Sequence, residues 1–132
     1  MPTFPVFTSK STRPGFFVAG GSAAPGHHAL EQAVVLSGRA LPAGAVVGKV
    51  TASGKLVYWT AGASDGSQNV YGVLWDDTDA SEGDVRQLVV ARDATVNWGE
   101  LQWDVGVTGG NKTTARGQMA ALGIVARDPI PA

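Results

Sequence analysis

From Ala29 onward, short runs of branched and aromatic residues alternate with turn residues, and this alternation limits the possible folds more than any other feature. Most runs are about five residues long, which suits a β-strand and is too short for a typical helix. Glycine, proline, serine and aspartate separate the runs, as they do in the turns of β-proteins. The sequence therefore predicts a mainly β fold.

The predicted strands are the runs 34–36, 46–51, 55–59, 70–75, 85–91, 94–98, 101–107 and 124–126. The run 85–91 has few polar positions, so we expect both of its faces to be covered. The run 101–107 alternates apolar residues with other residues, which is the period of two of a half-buried strand.

One short C-terminal helix is predicted over 113–121, with Asn111 as its N-cap and Gly123 as its stop. A shared apolar face supports it, formed by Ala115, Met119 and Leu122. The expected single domain therefore combines a β-rich body with one helix near its end.

Residues 1–28 differ from the rest because they hold four of the seven prolines and all four phenylalanines. The phenylalanines are Phe4, Phe7, Phe16 and Phe17. Proline prevents a stable helix here, yet a plain linker would not concentrate aromatic residues. We interpret the segment as an extended arm whose phenylalanines bind a partner, with a reach on the order of 90 Å. The alternative is an arm folded back on its own domain. The expected division is arm 1–28, β-rich domain 29–127 and tail 128–132.

Composition excludes several functions. The formal net charge of −1 provides no basic field for nucleic acid or anionic membranes, so neither is an expected partner. Cysteine is absent, which removes disulfides and thiolate chemistry. No apolar run has the roughly 20 residues of a membrane span, and we find no secretion signal. Charged residues are 16% of the chain against about 25% in globular proteins, which favours burial against a partner or other copies.

The chain contains an incomplete match to a phosphate-binding motif. The stretch from Gly106 to Thr113 resembles GxxxxGK[ST], but Asn111 stands where the loop needs a glycine. Too few residues follow for the parallel sheet of such nucleotide-binding proteins. We therefore expect no nucleotide cofactor.

Metal and catalytic sites are not expected either. An EF-hand starting at Asp77 would need glycine at 82 and glutamate at 88, where the chain has Glu82 and Leu88. The acidic loop 76–84 is therefore interpreted as a solvated turn. His27 and His28 are the only histidines, and adjacent side chains of an extended segment point apart. The sequence predicts a protein that is not an enzyme and carries no metal.

The four tryptophans leave an alternative function open, because exposed indoles can stack on sugars. They are Trp59, Trp75, Trp98 and Trp103. Each falls in or at the end of a predicted strand, where packing in a core or subunit interface explains it. The alternative to a structural role is a β-sandwich carbohydrate-binding module that uses exposed tryptophans.

The span from Leu30 to Ala126 resembles the head decoration protein family of tailed bacteriophages, typified by the lambda decoration protein D. The resemblance lies in an ordered series of motifs: LPAGAVVG at 41–48, GKLV at 54–57, DG at 65–66, VYGVL at 70–74, the helix 115–122 and GI at 123–124. Each motif alone is a common β-turn pattern, whereas their order and spacing together are much more specific.

This resemblance implies a small, β-clip or barrel-like domain that forms homotrimers on the outer surface of the expanded phage head. It implies two partners, the major capsid protein and further copies of the chain. It also implies an N-terminal arm that becomes ordered on the capsid, with no catalytic residues or cofactors. The expected role is stabilisation of the head against the pressure of packaged DNA.

Overall fold

The computed structural model describes residues 17–20, by their backbone, and residues 29–128. The described elements are, in chain order, β1 (Phe17–Gly20), β2 (Leu30–Val35), β3 (Ala40–Leu41), β4 (Val46–Lys49), β5 (Leu56–Tyr58), β6 (Val70–Leu74), β7 (Thr78–Asp79), β8 (Val85–Val90), β9 (Ala94–Asn97), a 3-10 turn (Trp98–Glu100), α1 (Gly109–Ala121) and β10 (Ile124–Arg127). The predicted mainly β fold with one short helix is confirmed.

A closed barrel forms the body of the domain, with strand order β2-β5-β4-β6-β8. Its longest pairing joins β2 to β8, antiparallel from Leu30 opposite Val90 to Val35 opposite Val85. Its shortest joins β2 to β5, which pair in parallel only at Val35 and Leu56. Six residue pairs therefore join β2 to β8, whereas a single pair closes the barrel between β2 and β5. The barrel-like architecture that the resemblance implied is confirmed.

Two smaller sheets flank the barrel. A sheet of order β1-β9-β10 pairs β9 antiparallel with β1 and parallel with β10. A two-stranded ribbon pairs β3 with β7. The short strand β7 lies within the predicted acidic loop, so the loop is partly ordered by this pairing.

Neighbouring residues on three barrel strands belong to two different cores. The pairs are Val46 and Val47 on β4, Val73 and Leu74 on β6, and Val89 and Val90 on β8. Successive side chains of a strand point to opposite faces, so one of each pair faces the barrel interior and the other faces outward. The barrel wall is covered on both sides there, which explains its continuous apolar runs.

The inner of these two cores, which we call the lumen core, receives one buried residue from each barrel strand. Those five are Val35, Leu56, Val47, Leu74 and Val89, and they are joined by Leu41, Ala45 and Ala80. The other, which we call the outer core, lies between the barrel, α1 and the β1-β9-β10 sheet. Its large buried members are Trp59, Met119 and Ile124.

The prediction that strand 85–91 is covered on both faces is confirmed only for its second half. Val89 and Val90 are both fully buried, one in each core. Arg86, nearer the start of the strand, is exposed. The sequence could not show that α1 and the small sheet cover only one end of β8.

The predicted strand 101–107 is wrong. A 3-10 turn precedes it, Gln102 makes only an isolated bridge to Ala45, and Gly106 has a positive φ of 86°. The alternation correctly marked Leu101 and Trp103 as packed residues, but they contact the outer core from an irregular loop. Gln102 bonds the backbone of Gly44 and Val46 at the start of β4, and residues 103–107 do not extend this bridge into a ladder.

The helix begins at Gly109, four residues before its predicted start, and ends at Ala121 as predicted. Its N-cap is Thr108 rather than Asn111: the backbone N–H of Asn111 donates to Thr108 Oγ1 at 3.2 Å. Gly109 and Gly110, which lie before the predicted start, form part of the first turn of the helix. Gly123 has a φ of 83° and stops the helix, as predicted. Among the described residues, no helix has the length and apolar character to cross a membrane.

Two glycines of the motif series are required by close packing. A Cβ on Gly48 would lie 2.4 Å from the carbonyl oxygen of Ser67, because the loop 61–69 crosses directly over β4. A Cβ on Gly72 would lie 2.3 Å from the carbonyl oxygen of Val90 on the adjacent strand. These contacts give a physical reason for the glycines in LPAGAVVG and VYGVL.

Candidate functional site

The N-terminal segment joins the domain at the β1-β9-β10 sheet. Phe17 lies opposite Val96, so β1 starts beside the end of β9 at which the 3-10 turn begins. For residues 17–20 the structure agrees with the alternative of a segment folded back on its own domain. Phe4, Phe7 and Phe16 lie outside the described residues, as do His27 and His28.

The opposite edge of this sheet is β10, and a side chain from α1 caps it. Arg116 Nη2 donates to the carbonyl oxygen of Ala126, and Arg116 Nη1 lies 3.6 Å from Asp128 Oδ1. A side chain that occupies an edge carbonyl discourages the addition of another strand. Val125 on this strand is 53% exposed, so β10 still presents an apolar side chain to solvent.

Three of the four tryptophans form one cluster at the outer core. The Trp103 ring makes edge contacts with Trp59 at 6.2 Å and with Trp98 at 5.5 Å between ring centroids. Trp59 is buried, and its indole N–H donates to the carbonyl oxygen of Gln68 at 2.7 Å. These contacts support the prediction that tryptophans serve packing.

Cationic side chains cover the two more exposed rings of this cluster. Lys112 Nζ lies 5.7 Å from the centroid of Trp103, and the Arg116 guanidinium lies 4.6 Å from that of Trp98. A stacked sugar needs an open indole face, and a cation already lies over one face of each of these rings. Trp75 is half-buried and packs against the outer core. The geometry therefore does not favour the carbohydrate-binding alternative.

The stretch that resembles a phosphate-binding loop has another structural role. Lys112 lies over Trp103, and Thr113 Oγ1 donates to the carbonyl oxygen of Gly109 at 3.1 Å within the helix. No strand precedes the loop among residues 98–108, although such a phosphate loop follows a strand. Both observations agree with the expectation that this stretch does not bind a nucleotide.

The carboxylates of the acidic loop bind backbone groups. Asp77 Oδ1 accepts from the N–H of Ala43 at 2.8 Å, and Asp84 Oδ1 accepts from that of Ser37 at 2.9 Å. Asp84 Oδ2 also lies 2.5 Å from Lys55 Nζ, and this hydrogen bond is the main reason that the pKa of Asp84 is lowered. Within residues 29–128, no three His, Cys, Asp or Glu side chains are grouped to hold a metal ion.

A polar network beside the lumen core links four strands or their ends. Glu31 Oε2 accepts from the Tyr71 hydroxyl at 2.9 Å and from Arg92 Nη2 at 2.8 Å, and Lys49 Nζ lies over the Tyr71 ring. Burial, reinforced by the hydrogen bond to Glu31, raises the pKa of Tyr71 to about 12. Tyr71 therefore stays protonated at neutral pH, and the network is a structural brace.

The loop 103–107 presents an apolar side chain on a rigid base. Asp104 Oδ1 accepts from the N–H of Val105 at 2.8 Å, and the Asp104 carbonyl oxygen accepts from the N–H of Val107 at 3.3 Å. These bonds form a tight turn, and Gly106 supplies its positive φ of 86°. Val105 at the tip is 96% exposed. Sequence reasoning missed this feature because it assigned the loop to a strand.

A groove of about 630 Å³ lies beside this loop. It opens where β2 leaves β5 after the Val35–Leu56 pair, and its apolar lining includes Leu36, Val57, Tyr58 and Ala63. Three charged side chains also line it, Arg39, Asp65 and Asp104. Burial, followed by the negative charge of Asp104, raises the pKa of Tyr58. The groove therefore combines apolar contact area with a neutral phenol and charges of both signs.

The described surface is that of a small β-barrel whose polar clusters brace the fold and whose open features suit contact with another protein. The family described as bacteriophage lambda head decoration protein D matches residues 7–124. Because the match covers most of the chain, the protein belongs to this family. The resemblance seen in the motif series is thereby confirmed.

The family consists of bacteriophage head decoration proteins, which are structural proteins of the capsid. Membership therefore assigns the chain to capsid decoration and places it on the virion head. No curated protein matches the chain.

Proposed function

We propose that the chain attaches as a homotrimer to the outer surface of the expanded phage head, binds the major capsid protein and stabilises the shell against DNA pressure. The observation that carries this proposal is the family match over residues 7–124. It begins inside the N-terminal segment, so the segment belongs to the family pattern together with the barrel. In this proposal the protein acts by binding alone, without catalysis.

The charge distribution supports an outer position. Lys10 and Arg13 are the only charged residues in 1–28, so the remaining sequence holds eight basic and all eleven acidic residues. A domain with this excess of acid is repelled by DNA phosphates and is better suited to the outer face. The arm has the opposite sign and suits an acidic capsid surface.

The arm supplies the attachment in this proposal. Ordering an extended segment costs roughly 1–2 kcal/mol per residue of backbone entropy, so docking needs many contacts. Strand addition to a capsid sheet would satisfy the backbone, and Phe4, Phe7, Phe16 and Phe17 would fill apolar pockets. Three arms on one trimer act at high local concentration, so weak individual contacts sum to durable binding.

The test is binding of the purified protein to expanded heads that lack it, with the mass of the free and bound protein measured in parallel. Deletion of residues 2–16 removes most of the arm and keeps β1, so the domain should still fold. We expect this deletion to weaken head binding by at least about 100-fold. Unchanged binding would contradict the role of the arm.

A triple variant separates the phenylalanines from the length of the arm. Phe4→Ala, Phe7→Ala and Phe16→Ala together should weaken binding at least about tenfold, because aromatic anchors dominate interfaces. The matched control, Thr3→Ala with Thr8→Ala and Ser11→Ala, should bind as the natural chain does.

Heads decorated with the natural chain should release their DNA at a higher temperature than bare heads. A monomer that ignores heads would overturn the whole proposal.

A further inference from the structure

We infer that the loop 103–107 of one copy inserts Val105 into the groove beside the same loop of a neighbouring copy, and that this contact closes the trimer. The inference rests on the proposed function for the trimer itself and adds which surfaces form it. The inference is based first on the fact that the loop tip and the groove are different surfaces of the same chain. A contact between two different surfaces repeats from copy to copy and closes into a ring when the rotation allows it.

The loop is built to present its tip rather than to pack it. Asp104 fixes the turn by accepting from the N–H of Val105, and Trp103 anchors the loop between Trp59 and Trp98. Val105 itself is 96% exposed, the highest value among the large hydrophobic residues described. A preorganised apolar side chain loses little conformational freedom on binding, which favours its use as an anchor.

The groove offers the surface that such an anchor needs. Val57, Tyr58 and Ala63 provide apolar contact beside the narrow closure of the barrel between β2 and β5. A cavity of about 630 Å³ is more than large enough for one valine and the adjoining backbone of a turn. Side chains that fill well-packed, desolvated pockets contribute more to binding than those at the rim of an interface.

Arg39, which lines the groove together with Asp65 and Asp104, offers an ionic partner to the loop of another copy. Asp104 precedes Val105 and would enter the groove with it, where Arg39 lies on the lining. Within residues 29–128, neither Arg39 nor Asp104 forms an ion pair in the single chain. Insertion would place Asp104 of one copy beside Arg39 of its neighbour. The loop and groove are adjacent on each copy, which is the arrangement expected close to a three-fold axis.

Cysteine cross-linking tests the contact directly, because the natural chain has no cysteine. A tagged Val105→Cys variant is mixed with an untagged Ala63→Cys variant, bound to expanded heads and oxidised. The inferred contact predicts a disulfide-linked heterodimer of one tagged and one untagged chain. The matched control replaces Val105→Cys by Val125→Cys, an exposed valine on β10, and should give at least about tenfold less heterodimer.

A second variant tests the energetic role of the tip. Val105→Asp leaves the fold intact because the side chain is almost fully exposed. It should raise the protein concentration needed for trimers, or for saturation of heads, by at least about tenfold, whereas Val125→Asp should change it less than about twofold.

The outcomes separate this inference from the proposed function. Trimers on heads without the Val105–Ala63 heterodimer would overturn the inference and leave the proposed function standing. A chain that neither trimerises nor binds heads would overturn both. If deleting residues 2–16 instead makes the Ala63→Cys thiol accessible to a maleimide reagent, the arm occupies the groove and the inference is wrong.

Discussion

The lumen core and the outer core use the same barrel wall but are built differently. The lumen core is aliphatic and is enclosed by five strands that each contribute one buried side chain. The outer core mixes aliphatic residues with tryptophans and lies beneath a helix and a small sheet. A closed barrel cannot collapse around a defect, whereas a surface helix can shift. The comparison therefore predicts that equal losses of volume have unequal effects on stability.

The outer core also depends on a polar side chain of α1. Gln118 Oε1 accepts from the N–H of Val70 at 2.7 Å and from the Trp59 indole at 3.2 Å. Gln118 Nε2 donates to the carbonyl oxygen of Gln68 at 3.2 Å. One residue of α1 thus satisfies backbone and side-chain groups at the edge of β6. The helix is fixed in position by hydrogen bonds as well as by packing.

The largest expected effect is in the lumen core. Leu74→Ala should lower the free energy of unfolding by about 4 kcal/mol, because the closed wall leaves the cavity unfilled. Met119→Ala in the outer core should cost about 2 kcal/mol, because α1 can move toward the barrel. Urea denaturation of both variants measures the difference. Equal losses would remove the distinction between the two cores.

The wall between the cores should tolerate no added volume. Gly72→Ala places a Cβ 2.3 Å from the Val90 carbonyl oxygen and should cost about 3 kcal/mol through strain on the β6–β8 pairing. Gly117→Ala is the matched control, because its Cβ would meet nothing within 4 Å and it lies on the exposed face of α1. That variant should gain up to about 1 kcal/mol from helix propensity. Thermal denaturation that ranked the two variants the other way would refute the close approach.

The polar link in the outer core should have an intermediate effect. Gln118→Leu keeps the size of the side chain but leaves the buried N–H of Val70 without its acceptor, at a cost of about 2 kcal/mol. Gln32→Leu on the exposed face of β2 is the control and should stay within about 0.5 kcal/mol. If Gln118→Leu were as stable as the natural chain in urea, packing alone would hold the helix.

The smallest effect concerns pH and the loops that close the barrel ends. The hydrogen bond from Lys55 and then that from the Ser37 N–H lower the pKa of Asp84 below its ordinary value of 3.8. A lowered folded-state pKa stabilises the fold above the ordinary value, and the contribution is lost as pH falls through the folded-state pKa. The natural chain should melt at a slightly higher temperature than Asp84→Asn at pH 6, and this difference should shrink as pH falls below 3.8 and through the lowered folded-state pKa. A gap that persisted at low pH would exclude the carboxylate as its cause, and Glu82→Gln serves as the surface control.

The sequence by itself determined the fold class, most strand positions, the end of the helix at Gly123 and the family. Those features depend on local chemistry: strand-length apolar runs, turn residues and the positive φ that glycine adopts. It also predicted that the wall is covered on both faces at Val89 and Val90. The order of the motifs also indicated the decoration family. Gly48 and Gly72 stand at set positions in these motifs because a Cβ there would collide with a backbone carbonyl oxygen.

Only the tertiary structure decided how the C-terminal third is arranged. The residues 101–107 alternate like a strand, yet the contacts of Trp103 with Trp59 and Trp98 hold them as a loop. The exposed tip at Val105 and the neighbouring groove follow from this loop and from the early departure of β2 from β5. Such features arise from contacts between residues distant in sequence, which a local pattern does not record.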